Sequence, residues 1–232
     1  MNMNKLVEEQ TYKALARVLE KEDRREGIHI SNLVYDCLRR GYYGLTKERR
    51  YDMDGLLRMA YGTLIHEFRL ASGSEHEQSF DDWNGIIGTP DEVWQGLVID
   101  KKTTANPPRN NKPRAHHRKQ VQMYGAILDD RGYDIIGGSI IYIVLGKEPD
   151  IKVTSFSLNA GKFEQVREEM LQKKSELEMA LEVGEPPERD ISWLCKYCDF
   201  VKQCFWDDSD EDWGDEGGYT SEEVEEIMEE IE

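Results

Sequence analysis

The sequence predicts a mixed α/β fold with a helical N-terminal cover. Three observations carry that expectation. Long helical patterns fill the first 72 residues. Short apolar runs bounded by Gly and Pro then take over, "GIIGTPDEVW", "GLVIDKKTT" and "GGSIIYIVLG". Helical periodicity returns between and after them, which gives the order helices, strands, helix, strands, helix.

Each element has its own justification. Residues 3–25 read as an amphipathic helix, with Leu6, Leu15, Val18 and Leu19 on its apolar face. "HISNLVYDCLRRGYYG" follows, and Ser31 is the expected N-cap of a short helix carrying Cys37. Residues 53–71 fit a further helix through Leu56, Met59, Ala60, Leu64 and Phe68. "GIIGTPDEVW" and "GLVIDKKTT" read as a hairpin-like pair of strands. "HHRKQVQMYGAILDD" is helical, "GGSIIYIVLG" is a buried strand, and "IKVTSFSL" is its expected partner. Residues 160–182 form a long amphipathic helix, followed by a cysteine-rich knot at 195–204.

A chain of 232 residues is long enough for one large domain with a real core. The expected organisation is a domain over 1–206 and an acidic tail over 207–232. The domain divides into N-terminal helices 1–72, a core 73–183 and a cysteine segment 190–206 that closes onto Cys37. No apolar run approaches the ~20 residues of a membrane helix. The N-terminus lacks the apolar stretch of a signal peptide, so the expected location is the cytoplasm.

The net charge of −17 would argue against a nucleic-acid partner if it were evenly spread. It is not: 14 of the 47 acids lie in residues 207–232, which hold no base, leaving 33 acids against 30 bases elsewhere. A nearly neutral body can carry a local basic groove. Within the tail, residues 207–219 read as disordered. Thr220 and Glu223 have capping-box spacing, and Val224, Ile227, Met228 and Ile231 form one apolar stripe. That segment is either a frayed acidic helix or one that docks a partner or the protein's own basic groove.

Four cysteines in a chain expected inside the cell argue for metal before disulfide. Zinc sites usually take ligands as two close pairs. Cys195, Cys198 and Cys204 with a remote Cys37 look more like an iron–sulfur arrangement, though thiolates suit either metal.

Asp91 in "GTPDEVW" and Asp100 in "VIDKKT" are nine residues apart. Adjacent antiparallel strands can bring both carboxylates to one sheet end, where they suit magnesium or manganese. Side chains alternate along a strand, so Asp100 and Lys102 share a face and Lys101 points to the other. An ammonium at Lys102 can orient water or stabilise charge on a phosphoryl group. Lys101 can offer its backbone carbonyl to the metal. His66 ends "GTLIH" on the helix before the strands. Gln120 and Tyr124 stand at i and i+4, on one helix face. "RNNKPRAHHRK", residues 109–119, is the most basic stretch, and Arg109, Lys112, Arg114, His117, Arg118 and Lys119 are its expected DNA contacts.

Taken in order, "CLRRGYYG", "GTLIH", "GTPD", "VIDKKT", "QVQMY" and "CKYCDFVKQC" resemble a RecB-type nuclease of the PD-(D/E)XK superfamily. The resemblance is to its iron–sulfur branch, which includes the CRISPR-associated nucleases of spacer acquisition, and runs from Ser31 to Phe205. It implies a restriction-endonuclease-like mixed sheet flanked by helices. It implies that His66, Asp91, Asp100 and the Lys101 carbonyl bind Mg2+ or Mn2+, that Lys102 is catalytic, and that Gln120 and Tyr124 support the site or contact DNA. It further implies a 4Fe–4S cluster on Cys37, Cys195, Cys198 and Cys204. The implied activity is DNA cleavage, often exonucleolytic on single strands, with CRISPR integrase proteins as partners in prespacer trimming. A stand-alone phage, viral or repair exonuclease is the alternative setting. A non-catalytic DNA-binding scaffold with a structural metal cluster is the alternative of another class. Asp100 stands where many relatives have Glu, a change the motif permits.

Overall fold

The computed structural model describes residues 27–47, 53–66, 75–76 and 80–206. The expected helix at 3–25, the end of the one at 53–71 and the acidic tail with its terminal helix lie outside the described residues.

A five-stranded mixed sheet carries the architecture. Its order is β2 (Glu75–His76), β5 (Glu92–Trp94), β6 (Leu97–Thr104), β7 (Gly137–Val144) and β8 (Asp150–Ser157). β5 and β6 form an antiparallel hairpin with Trp94 opposite Leu97. The two turn residues, Gln95 (φ 49°) and Gly96 (φ 75°), both have positive φ. That is the backbone a tight two-residue hairpin needs, because its twist matches that of the strands. β6 and β7 are parallel, with Asp100 opposite Ile140 and Lys102 opposite Tyr142. The crossover between them is helix α4 (Ala115–Asp130). β8 returns antiparallel to β7.

Burial follows from these positions. β7 is covered on both faces and reads as a continuous apolar run, "GGSIIYIV". β8 is an edge strand and is largely exposed. α4 buries Val121, Met123 and Ala126–Leu128 against the sheet. At Gly138 an added Cβ would stand 2.3 Å from Val121 Cγ1, so glycine there lets α4 approach β7 closely. Helix α5 (Phe163–Val183) packs on α4 and buries Phe163, Met170 and Leu177 at a spacing of seven. It ends at Gly184 in the left-handed region (φ 79°).

A smaller sheet of order β1 (Ile28–His29), β4 (Ile86–Gly88) and β3 (Phe80–Trp83) stands beside the main one. This corrects the expected pairing: "GIIG" belongs to the small sheet, and only Glu92–Trp94 pairs with the "VIDKKT" strand. A second correction concerns Cys37. The short helix α1 (Ile30–Leu33) starts after His29, whose amide donates to Asn32 Oδ1 at 2.8 Å. Cys37 lies outside it, at the position just before α2 (Leu38–Thr46). Helix α3 (Met53–His66) packs against β6. No described helix is long and apolar enough to cross a membrane.

Candidate active site

The loop "GTPD" delivers Asp91 immediately before β5, and the hairpin returns β6 alongside it. The Lys101 amide donates to Asp91 Oδ2 at 2.5 Å, which holds that carboxylate against the middle of β6. Asp100 is 2% exposed and Asp91 6%. Lys102 Nζ lies 3.0 Å from Asp100 Oδ1. The side chains of Asp100 and Lys102 therefore share a face of the strand, as period-two geometry requires. Lys101 turns to the opposite face, where its ammonium meets Glu92 Oε1 at 2.7 Å, both side chains being fully buried.

Burial by itself would push the Lys102 ammonium down. The Asp100 and Asp91 carboxylates outweigh it and hold the group above its ordinary 10.5. Lys102 is thus a cation at neutral pH. On the α4 side, Gln120 Nε2 donates to the Tyr124 hydroxyl at 3.0 Å. Burial raises the Tyr124 phenol, and the Asp100 carboxylate beside it raises it further. Tyr124 therefore stays neutral and keeps its proton. His66 is the last residue of α3; its side chain lies outside the described residues.

The donor chemistry fits a divalent cation. Asp91 and Asp100 are two nearly buried carboxylates brought to the same end of the hairpin, with Lys102 paired to Asp100. Carboxylate and carbonyl oxygens are the hard donors that Mg2+ and Mn2+ prefer. Among the described residues, no three His, Cys, Asp or Glu side chains are arranged to hold an ion. Asp91 and Asp100 thus supply two carboxylates rather than a complete set.

The basic segment divides. Arg109, Lys112, Arg114 and Arg118 are exposed. Arg114 ties the loop to β6 by donating through Nη2 to Thr104 Oγ1 at 2.8 Å. The Arg118 guanidinium lies 4.9 Å from the Phe156 ring centroid. Lys119 turns inward, 2.8 Å from Asp36 and 2.7 Å from Glu169. His117 does too: its Nδ1 is 3.0 Å from the Tyr142 hydroxyl, which also accepts from the Arg114 amide at 3.0 Å. Burial drives the His117 imidazole down to about 2, with the positive charges of His116, Lys102 and Arg114 acting in the same direction. It is thus a neutral, partly buried group beside Tyr142. Glu92 and Tyr142 are the residues sequence reasoning missed. Tyr142 reads as core in "GGSIIYIV", and only its register opposite Lys102 brings it to the site.

The four cysteines line one pocket that is open to solvent. Cys37 enters from the start of α2, and Cys195, Cys198 and Cys204 from the C-terminal segment, which ends in α6 (Val201–Trp206). The Tyr43 hydroxyl donates to Gln203 O at 3.2 Å, and its ring lies 6.0 Å from Phe200. Burial raises the Cys198 and Cys204 thiols, while nearby guanidinium groups oppose it. Among the described residues, no three of these thiols are arranged to hold a single ion.

Comparison with known proteins gives the family. The PD-(D/E)XK nuclease superfamily model matches residues 7–205, most of the chain. The chain belongs to the PD-(D/E)XK nuclease superfamily, whose members use divalent metals. Among solved structures, that of SSO0001 is 19% identical with a TM-score of 0.47, covering 86% of this chain and 96% of that one. The alkaline exonuclease LHK-Exo from Laribacter hongkongensis is 16% identical at TM-score 0.45, covering 69% and 92%. A phage-related exonuclease from Haemophilus somnus 129PT is 8% identical at TM-score 0.39, covering 68% and 96%. A search of curated proteins finds no match.

Proposed function

We propose that the protein is a metal-dependent DNA exonuclease acting on single-stranded ends. One observation carries the reading. Asp91, Asp100 and Lys102 converge at one end of the hairpin, and the Lys101–Glu92 pair holds the neighbouring lysine away.

Asp91, Asp100 and the Lys101 carbonyl would hold Mg2+ or Mn2+, with His66 completing the set. When bound, the cation supplies Lewis-acid polarisation of a phosphoryl oxygen and of water. The protein's own groups do the rest. Lys102 stands beside Asp100 as a fixed cation and stabilises the negative charge that grows on the phosphoryl oxygens. Gln120 and Tyr124 form a neutral hydrogen-bonding wall across from the carboxylates. The water oxygen bonds to phosphorus, the P–O3′ bond breaks, and the 3′ oxygen leaves with a proton. The products carry 5′-phosphate and 3′-hydroxyl ends. The exposed Arg109, Lys112, Arg114 and Arg118 offer the electrostatic track for the strand.

Cys37, Cys195, Cys198 and Cys204 are proposed to hold a 4Fe–4S cluster. The support is that all four line one pocket, although Cys37 is far from the others in the chain. Such a cluster would join α2 to the C-terminal segment and couple to folding. Prespacer trimming beside a CRISPR integrase is the proposed setting, resting on the resemblance to the branch that includes such nucleases, with a stand-alone exonuclease of the same branch as the alternative.

The test uses end-labelled single-stranded DNA with Mg2+ or Mn2+. Wild type should cleave, chelation should stop it reversibly, and Asp100→Ala and Lys102→Ala should be inactive while remaining folded. Retention of DNA without cutting would instead mark a binding scaffold. Integrase co-purification tests the setting, and brown colour after anaerobic purification tests the cluster.

A further inference from the structure

Three arginines, Arg39, Arg40 and Arg189, line the same pocket as the four cysteines. Two have their guanidinium groups engaged along the rim. Arg40 lies 4.0 Å from the Tyr35 ring centroid and donates to Asp199 Oδ2 at 3.4 Å. Arg189 Nε donates to the Cys204 carbonyl at 2.8 Å, with the guanidinium 5.1 Å from the Phe205 ring.

Arg39 differs. Its Nη1 donates to Pro187 O at 3.1 Å, and its guanidinium lies 5.5 Å from the Tyr43 ring. Its Nε is buried and has no acceptor among the described residues. A buried N–H on a charged group left without an acceptor is costly, so the fold must gain something by placing it there. Arg39 sits in the first turn of α2, which starts directly after Cys37, so the free amides and positive end of that helix are at the same spot. The pocket already directs one amide at sulfur: Ser192 N–H donates to Cys195 Sγ at 3.5 Å. The acceptor that Arg39 lacks is thus of the class this pocket is built to take, an anionic sulfur.

We propose that Arg39 is a positioning residue of the cysteine site, donating through Nε to a sulfur of the metal–thiolate group held there and raising its reduction potential. The inference rests on the iron–sulfur reading above and extends it to a residue outside the four ligands. An iron–sulfur group on four thiolates is anionic, and its negative charge grows when an electron is added. A fixed cation with an N–H aimed at sulfur stabilises the reduced form more than the oxidised one.

The experiment uses the full chain, reconstituted anaerobically with iron and sulfide, as wild type, Arg39→Gln and Arg39→Lys. Iron and sulfide content, visible absorbance and the midpoint potential under dithionite titration are read. Arg39→Gln should load as wild type does, with its midpoint shifted negative by a tenfold change in the reduction equilibrium, about 59 mV for one electron. Arg39→Lys should recover only part of that shift, because it keeps charge without the planar Nε donor. A wild-type midpoint in Arg39→Gln overturns the inference alone. Should Arg39→Gln fail to fold, a wild-type midpoint in Arg39→Lys overturns the directed bond. Wild-type protein without iron–sulfur absorbance overturns the cluster reading and the inference together.

Discussion

The Lys101 ammonium and the Glu92 carboxylate meet at 2.7 Å with both side chains wholly shielded from solvent. The neighbouring Lys102 pairs with Asp100 on the other face, about a quarter exposed. Two consecutive lysines thus have opposite duties. One is sealed inside the hairpin, and the other is presented where it can meet a substrate. The sealed pair also relieves the site of a competing cation, since a lysine with a buried partner cannot swing round the strand.

Removing one member of that pair leaves a buried charge without its counter-ion. Lys101→Met or Glu92→Met should each destabilise the fold by about 3–5 kcal/mol, whereas the double replacement should cost far less. Urea unfolding of the three variants checks this. A double loss equal to the sum of the two single losses would mean that the pair is not coupled.

Lys102 links the site to alkaline pH. Its folded value lies above the ordinary 10.5, because the Asp100 and Asp91 carboxylates outweigh burial. The folded state therefore holds the proton more tightly than the unfolded chain does. The resulting stabilisation is fully present below the unfolded value and is lost as pH rises through the folded one. Lys102→Met should flatten the alkaline limb of stability measured from about pH 10 upward and abolish cleavage at every pH. Lys102→Arg keeps charge but brings a wider, planar group to a site about a quarter exposed, and should lower cleavage by about 10²-fold or more.

What could be read in the sequence was what regular periodicity encodes. Asp100 and Lys102 share a face because strands alternate, and Gln120 and Tyr124 share one because helices repeat every 3.6 residues. Glu92 escaped because its partner lies on the neighbouring strand, two residues beyond the register position Ile99. Tyr142 escaped for the same reason. Its apolar surroundings mark it as core, and nothing local says that Lys102 lies opposite. The small sheet was misread because strands of two to four residues carry almost no period. His117 and Lys119 are expected DNA contacts from the basic composition of their segment and its place beside the site, and composition does not show that helix α4 brings them to Tyr142, Asp36 and Glu169.

Gly138 sets the distance between α4 and the sheet. A Cβ there would stand 2.3 Å from Val121 Cγ1 and 3.0 Å from Phe156 Cζ. Gly138→Ala should cost about 1–3 kcal/mol through overpacking. Val121→Ala removes the closest clash, so the double variant should lose less than the two single losses added together. Strict additivity in thermal unfolding would show that the contact is not limiting. Because α4 carries Gln120 and Tyr124, Gly138→Ala should also lower cleavage more than DNA affinity.

The paired histidines on α4 give the fold an acid sensitivity distinct from its carboxylates. Burial, with nearby positive charge, lowers His116 to about 4 and His117 to about 2, against an ordinary 6.5. Below pH 6.5 the unfolded chain takes protons that the folded imidazoles refuse. Stability is therefore complete above that pH and falls as pH drops, by at most about 1.4 kcal/mol per pH unit for each such proton. The Asp36 carboxyl, lowered chiefly by its hydrogen bond to Lys119, has an ordinary value of 3.8. Glu169, whose bonds to Lys119 and Lys173 outweigh its burial, has one of 4.5. Both act mainly below the window from pH 6.5 to 5, which isolates the histidines. His117→Gln should show a shallower loss of stability across that window than wild type, measured by urea unfolding at closely spaced pH. An unchanged slope would mean that burial and the neighbouring charges do not hold His117 neutral.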